Sequence, residues 1–223
     1  MTLLYPIGKS LYVNITNLCC CKCVFCVRDI TDSVGGSDSL WLDHEPTIDE
    51  LKAELEKFDL DDYEEVVFCG YGEPLMRINE VVEFATYIKS KKDIKIRINT
   101  NGLADLIHKK KTAVMLKDVI DAVSISLNAP NKEVYLEVTQ PAFGIKSFDA
   151  MLSFAKDCKT CLKEVCFSVV DEISEEEIRK SQELADSLGI PLRVRVKKIR
   201  SDQPSFTSQP RVCILPTFLS GAE

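Results

Sequence analysis

The chain has 223 residues, a formal net charge of −7, 45% hydrophobic and 28% charged residues, which fits one soluble globular domain and disfavours nucleic acid as a partner. No apolar run approaches the roughly 20 residues of a membrane span, and residues 1–11 lack the basic-then-apolar pattern of a leader, so the expected location is the cytoplasm. Ten cysteines are too sparse for a small disulfide scaffold and unexpected as packing alone, which directs attention to metal or redox chemistry.

The first expected strand is 11–17, an apolar run ending in Asn14-Ile15-Thr16-Asn17. A cysteine-rich loop, 18–28, follows. The next segment, 29–46, is long for a strand-to-helix connection and carries Gly35, Gly36, Trp41 and His44. Its place beyond strand one suits a lid; the alternative is a surface loop with Trp41 pinned in the core. After Pro46, Thr47 and Glu50 form a capping box, and Ile48, Leu51, Leu55 and Phe58 recur at helical spacing. Strand 64–69 runs into Gly70-Tyr71-Gly72-Glu73-Pro74, then a helix whose stripe is Ile78, Val81, Val82, Ala85 and Ile88. Strand 94–100 closes on Asn99-Thr100-Asn101-Gly102, and the connection 103–117 reads as a weaker helix with a solvated lysine run. Strand 121–127 carries Ser124 and Ser126, with Asn128 just beyond. A helix behind Ser147 shows the stripe Phe148, Met151, Leu152, Ala155 and Cys158. Strand 164–170 contains Ser168 and precedes a helix capped by Ser174 and Glu177 and stopped by Gly189 and Pro191. In the last strand, 192–198, Arg193, Arg195 and Lys197 alternate with Val194 and Val196. One face of that strand is therefore cationic, either solvated or turned inward as a carboxylate or phosphate site. The core domain is expected at 1–200, with 201–223 a tail lying on it.

Six strand-helix repeats with right-handed crossovers specify an α/β fold, either an open six-stranded portion of a β/α barrel or a doubly wound sheet. Both put function at the C-terminal ends of the strands. There lie Cys19, Cys20, Cys21, Cys23 and Cys26. The spacing Cys19-x-x-x-Cys23-x-x-Cys26 lets one loop wrap three corners of a cubane cluster and leave the fourth iron open to a ligand. A structural zinc knuckle would need four protein ligands and a second cysteine pair, which the spacing does not supply. Adjacent cysteines also make strained disulfides or none. Cys69, Cys158, Cys161 and Cys166 read as packing, and Cys213 is isolated in the tail. His44 and His108 have no partner by spacing.

Cys19-x-x-x-Cys23-x-x-Cys26, with Phe25 before the last cysteine, resembles the signature of the radical S-adenosylmethionine superfamily. The resemblance implies a partial (β/α)6 barrel whose loop after strand one holds a [4Fe-4S] cluster on Cys19, Cys23 and Cys26, the open iron being chelated by S-adenosylmethionine. It implies an enzyme that cleaves this cofactor reductively to a 5′-deoxyadenosyl radical acting on an unknown substrate. Cys20-x-x-Cys23-x-x-Cys26 is a rival ligand set, less favoured because the family motif uses the three-residue spacer. Gly70, Gly72 and Glu73 fall in register with the family's motif beside the cofactor's amino group. Asn101, Ser126, Asn128 and Ser168 are candidate contacts to the nucleoside, although Asn101 also reads as a turn residue satisfying its own backbone. Arg28 is assigned either to tuning the cluster's charge or to the surface. Arg28-Asp29, Gly35-Gly36 and Ser39-Leu40-Trp41-Leu42 resemble the small radical proteins associated with TatD-family nucleases, which implies such a nuclease as a partner. The class further implies a reductase or a flavodoxin- or ferredoxin-type electron donor, and a small-molecule or peptide substrate. The competing class is a non-catalytic iron-sulfur or zinc protein serving electron transfer or partner docking.

Overall fold

The computed structural model describes residues 1–195. The chain builds one sheet of seven strands in strictly sequential order: β1 (Leu4–Ile7), β2 (Ser10–Val13), β3 (Glu65–Phe68), β4 (Lys95–Thr100), β5 (Ala122–Ser126), β6 (Glu164–Val170) and β7 (Leu192–Arg195). From β2 to β7 every pairing is parallel, and β1 alone runs antiparallel, folded back on β2 around Gly8. An order that never reverses excludes the doubly wound alternative, which needs a switch point, and leaves the barrel portion.

The sheet curls. Arg195 on β7 is an electrostatic neighbour of Cys69, just past β3, and of Arg97 on β4. In a flat sheet, four strand spacings of about 4.8 Å would put β3 and β7 roughly 19 Å apart. The convex face is apolar: Val66, Phe68, Ile96, Ile98, Val123, Ile125, Phe167 and Val169 form a continuous core under the helices. The intervening residues face the concave side, here called the lumen.

The covering helices are α1 (Ile48–Leu55), α2 (Ile78–Lys91), α3 (Ala104–His108), α4 (Ala113–Leu116), α5 (Lys132–Thr139), α6 (Lys146–Cys161) and α7 (Glu175–Ser187). The expected capping boxes hold: Thr47 and Glu50 exchange hydrogen bonds at the start of α1, as do Ser174 and Glu177 at the start of α7. The stripes expected on α2 and α6 are buried except for Val82 and Leu152, which are partly covered, while Phe84 and Phe154 join the buried faces. Three features depart from the sequence reading. The strand β1 is additional, because the interruption at Pro6 and Gly8 hides a four-residue run. The weak third connection is two short helices broken at Lys109, which takes a left-handed φ of 52°. The helix α5 is also additional: Asn131 caps it through the Val134 N–H at 2.9 Å. The last residues expected in strand six, 196–198, and the tail 201–223 with Cys213 lie outside the described residues. No helix among the described residues is long and apolar enough to cross a membrane.

Candidate functional site

The cysteine loop leaves β2 at the C-terminal edge of the sheet and is pinned by backbone hydrogen bonds to the end of α5. Lys22 N–H donates to the Thr139 carbonyl at 3.0 Å, Val24 N–H to Val138 at 3.0 Å, and Ala142 N–H to Cys20 at 2.8 Å. This anchoring sorts the five thiols. Cys20 and Cys21 are buried, with 1% and 2% exposure, and pack into the main core, while Cys19, Cys23 and Cys26 are only partly covered. Accessibility therefore favours the 19/23/26 set over the rival that begins at Cys20. Among the described residues no three His, Cys, Asp or Glu side chains converge on a point that one metal ion could occupy. A cubane spreads its thiolates over separate corners and makes no such demand.

The loop is electropositive from within. Arg28 is buried, donates through Nη1 to the Asn17 carbonyl at 3.2 Å, and keeps a buried Nε without a partner. A hydrogen bond from Cys21 is the main influence lowering the Cys19 thiol, and Arg28 and Asn101 act in the same direction. Burial pushes the Cys26 thiol up to about 11, with Arg28 opposing. Of the two assignments for Arg28, the surface one is corrected: its charge lies inside, beside two thiols.

The loop after β3 meets the cysteine loop at van der Waals limits. A Cβ on Gly72 would stand 2.3 Å from the Thr16 carbonyl oxygen, and one on Gly70 would stand 2.0 Å from Asn14 Oδ1. Both glycines are thus required by chain-to-chain packing. Glu73 is buried, and its carboxylate accepts from Leu75 N–H at 3.0 Å, Thr100 Oγ1 at 2.8 Å and Asn101 N–H at 2.6 Å. Burial, assisted by the nearby Cys19, raises its pKa to about 7 against these donors. It fastens the β3 loop to the end of β4. Asn101 is turned towards the thiols, its Nδ2 lying 3.3 Å from Cys20 Sγ, 3.7 Å from Cys21 Sγ and 4.0 Å from Cys19 Sγ.

Around the rim, Ser126 on β5 is paired in register with Ser168 on β6. The Leu127 and Asn128 N–H groups both donate to the Ser168 carbonyl, at 2.9 and 3.3 Å. Asn128 has a left-handed φ of 59° and a buried Oδ1 without a partner, an acceptor left for something else at the mouth. Two readings of cysteines change. Cys69 and Cys166 are partly exposed and lie outside the apolar core, on the lumen side, whereas Cys158 is buried in that core as expected. His44 pairs with Glu50 at 2.8 Å, and His108 reaches the Leu75 carbonyl at 2.7 Å.

The segment 29–46 is tied to the top of β2: Asn14 Nδ2 donates to the Leu40 carbonyl at 2.7 Å, and Asn17 exchanges two hydrogen bonds with Leu42. Leu40 is buried with Tyr5 and Tyr71 in a small separate cluster, against which Trp41 packs half-buried, edge-on to Tyr71 at 5.2 Å. The Tyr71 hydroxyl donates to the Thr31 carbonyl.

The architecture has known counterparts. A probable GTP 3′,8-cyclase from Methanocaldococcus jannaschii is 31% identical over 133 residues, which is 59% of this chain and 40% of that protein. Streptococcus suis SuiB bound to S-adenosylmethionine superposes with a TM-score of 0.64 at 19% identity, covering 88% of this chain and 42% of SuiB. A radical SAM methyltransferase from Sphaerobacter thermophilus superposes at 0.56 with 14% identity, covering 86% of this chain and 68% of that one. The structural likeness is one of fold, and the chain spans about two fifths of the curated cyclase and of SuiB. The family model of the radical SAM superfamily matches residues 13–185, most of the described chain, and the chain belongs to that superfamily.

Proposed function

We propose that the chain is an enzyme that holds a [4Fe-4S] cluster on Cys19, Cys23 and Cys26 and binds S-adenosylmethionine beside it. When bound, the pair supplies reductive cleavage of the cofactor and a 5′-deoxyadenosyl radical that takes a hydrogen atom from a substrate. The observation that carries this reading is the sorting of the cysteine loop: three partly exposed thiols at the family spacing, two buried ones, and a buried Arg28 beside them.

The chain's own residues fit the group. Arg28 stabilises thiolates over thiols, the form in which cysteine binds iron. Glu73 and its glycines hold the β3 loop against the cysteine loop, which keeps the cofactor-side wall rigid. The unpartnered Asn128 Oδ1, with Ser126 and Ser168 alongside, offers hydrogen-bonding capacity where a nucleoside would lie. The 29–46 segment, with half-buried Trp41 packed against the Tyr5–Leu40–Tyr71 cluster beside β1 and β2, would in this reading wall that side of the mouth against water. An external one-electron donor of flavodoxin or ferredoxin type completes the chemistry. Small molecules and peptides both remain candidate substrates, and SuiB has been crystallised with its precursor peptide.

The test is anaerobic reconstitution followed by incubation with S-adenosylmethionine and reductant. Formation of 5′-deoxyadenosine is expected. A loaded cluster whose magnetic resonance spectrum ignores S-adenosylmethionine would mark an electron carrier instead.

A further inference from the structure

The lumen of this sheet carries more positive charge than its carboxylates balance. On β4, Arg97 is satisfied: Nε and Nη2 reach Glu65 at 3.1 and 2.7 Å, and Ser10 Oγ adds a third hydrogen bond to the same carboxylate at 2.8 Å. That set is neutral. On β7 the side chains of Arg193 and Arg195 turn to the concave side, crossing over β6 to hydroxyls on β5. Arg193 Nη2 donates to Ser124 Oγ at 3.1 Å, and Arg195 Nη2 to Ser126 Oγ at 3.5 Å. Both arginines point to the lumen side, Arg195 partly buried and Arg193 still solvent-exposed at the rim, with Val194 on the outer side.

Neither guanidinium has a carboxylate partner among the described residues. Arg195 keeps a buried Nε without any acceptor. Burial and the neighbouring Arg193 and Arg97 all disfavour its charged form. Two guanidinium groups two residues apart on one strand face stand about 6.6 Å apart at their Cα atoms, close enough for both forks to grip one anion. Arg193 is exposed at the rim and Arg195 partly buried, and like charges held this close with one of them out of water are costly unless an anion joins them. The register places the pair beside Ser126 and Ser168, on the rim that faces the cysteine loop.

We propose that Arg193 and Arg195 form the receptor for an anionic group, a carboxylate or a phosphate, of the substrate. This deepens the function proposed above and rests on it for the identification of the lumen as the substrate's place. Ser124 and Ser126 hold the two forks apart until the anion replaces or joins those weak hydroxyl contacts, and the Glu65–Arg97 pair keeps the lower lumen neutral. The anion is therefore drawn to the upper rim.

The test is calorimetric titration of the anaerobically reconstituted full chain, at constant ionic strength, with inorganic phosphate in one arm and succinate in the other. Saturable binding is expected in at least one arm. It should weaken about tenfold or more in the R193Q/R195Q double variant and be unchanged in K109Q/K110Q, whose lysines are exposed. Binding in the phosphate arm alone assigns a phosphorylated substrate, and in the succinate arm alone a carboxylate. Absence of saturable binding, or equal binding by the double variant, overturns the proposal. So does an equal loss of S-adenosylmethionine affinity in that variant, because the arginines would then serve the cofactor. If the double variant does not fold, Arg193→Gln and Arg195→Gln are titrated singly, and no weakening in either overturns the assignment. Wild-type 5′-deoxyadenosine formation is measured on the same preparation: its absence with anion binding intact defeats the radical reading and leaves the anion site standing.

Discussion

Glu73 Oε2 accepts the Asn101 backbone N–H at 2.6 Å, and the side chain of that same asparagine points at the thiols of the cysteine loop. Three strand ends, those of β2, β3 and β4, are thereby fixed to one another around the cysteine loop.

The thiols should separate by exposure. Cys19→Ala, Cys23→Ala and Cys26→Ala should each abolish the visible absorption of a reconstituted chain carrying about four irons. Cys20→Ala and Cys158→Ala remove buried core atoms instead and should retain the chromophore while losing stability. Iron content of the five variants decides, and full retention in Cys23→Ala would falsify the assignment.

Arg28→Gln should be felt in the metal-free chain. Without the buried positive charge, the Cys19 and Cys26 thiols lose a stabiliser of their ionised forms, so alkylation by iodoacetamide should shift to higher pH. An unchanged pH profile for both cysteines would remove Arg28 from the site.

Glycine substitutions should split by what surrounds them. At Gly72 a methyl group would meet the Thr16 carbonyl at 2.3 Å, a backbone atom unable to move aside, so Gly72→Ala should cost on the order of 3 kcal/mol or prevent folding. At Gly36, with open space but a φ of +86°, the same change should cost about 1 kcal/mol. Denaturant melts of the two variants should therefore differ clearly.

Asp121 supplies a pH dependence of defined sign. Burial acts to raise its pKa, but hydrogen bonds from Lys163, Lys89 and the Ile96 N–H prevail and hold it at about 2, below the ordinary 3.8. A folded-state pKa that is depressed contributes stability above the unfolded value and loses it as pH falls through the folded one. Wild type should thus exceed Asp121→Asn in stability at neutral pH, and the gap should close between about pH 4 and pH 2. A gap that persists at pH 2 would assign the difference to packing.

Leu40 and Trp41 are neighbours with unequal burdens. Leu40 has 1% exposure at the centre of its cluster, so Leu40→Ala should cost about 2–5 kcal/mol. Trp41 lies at the margin and should cost less on truncation despite its size. A larger loss of melting temperature in Trp41→Ala than in Leu40→Ala would show the tryptophan to be a core residue and reject a lid.

The parallel core was legible because its strands are apolar runs bounded by turn chemistry and its helices are announced by capping boxes and stripes. The proposed ligand set is local, three cysteines in one loop, so spacing alone suggests it. What the sequence concealed was non-local. Nothing near Lys132 shows that α5 would brace the cysteine loop, since its stripe is short and its partners are far along the chain. The burial of Arg28 and the inward turn of Arg193 and Arg195 depend on which face of the sheet curls inward, and period-two alternation leaves that choice open. The placement of Cys69 and Cys166 on the lumen side, outside the apolar core, turns on the same choice.

The brace between the cysteine loop and α5 also sets an order of events during synthesis. Lys22 must wait for Thr139, more than a hundred residues later. At a ribosomal rate of roughly 5–20 residues per second, about 6–23 seconds pass before the loop's partner has even been made. Throughout that interval the five thiols of residues 19–26 have no brace, so under the function proposed here iron and sulfide are expected to be inserted only after α5 has been made.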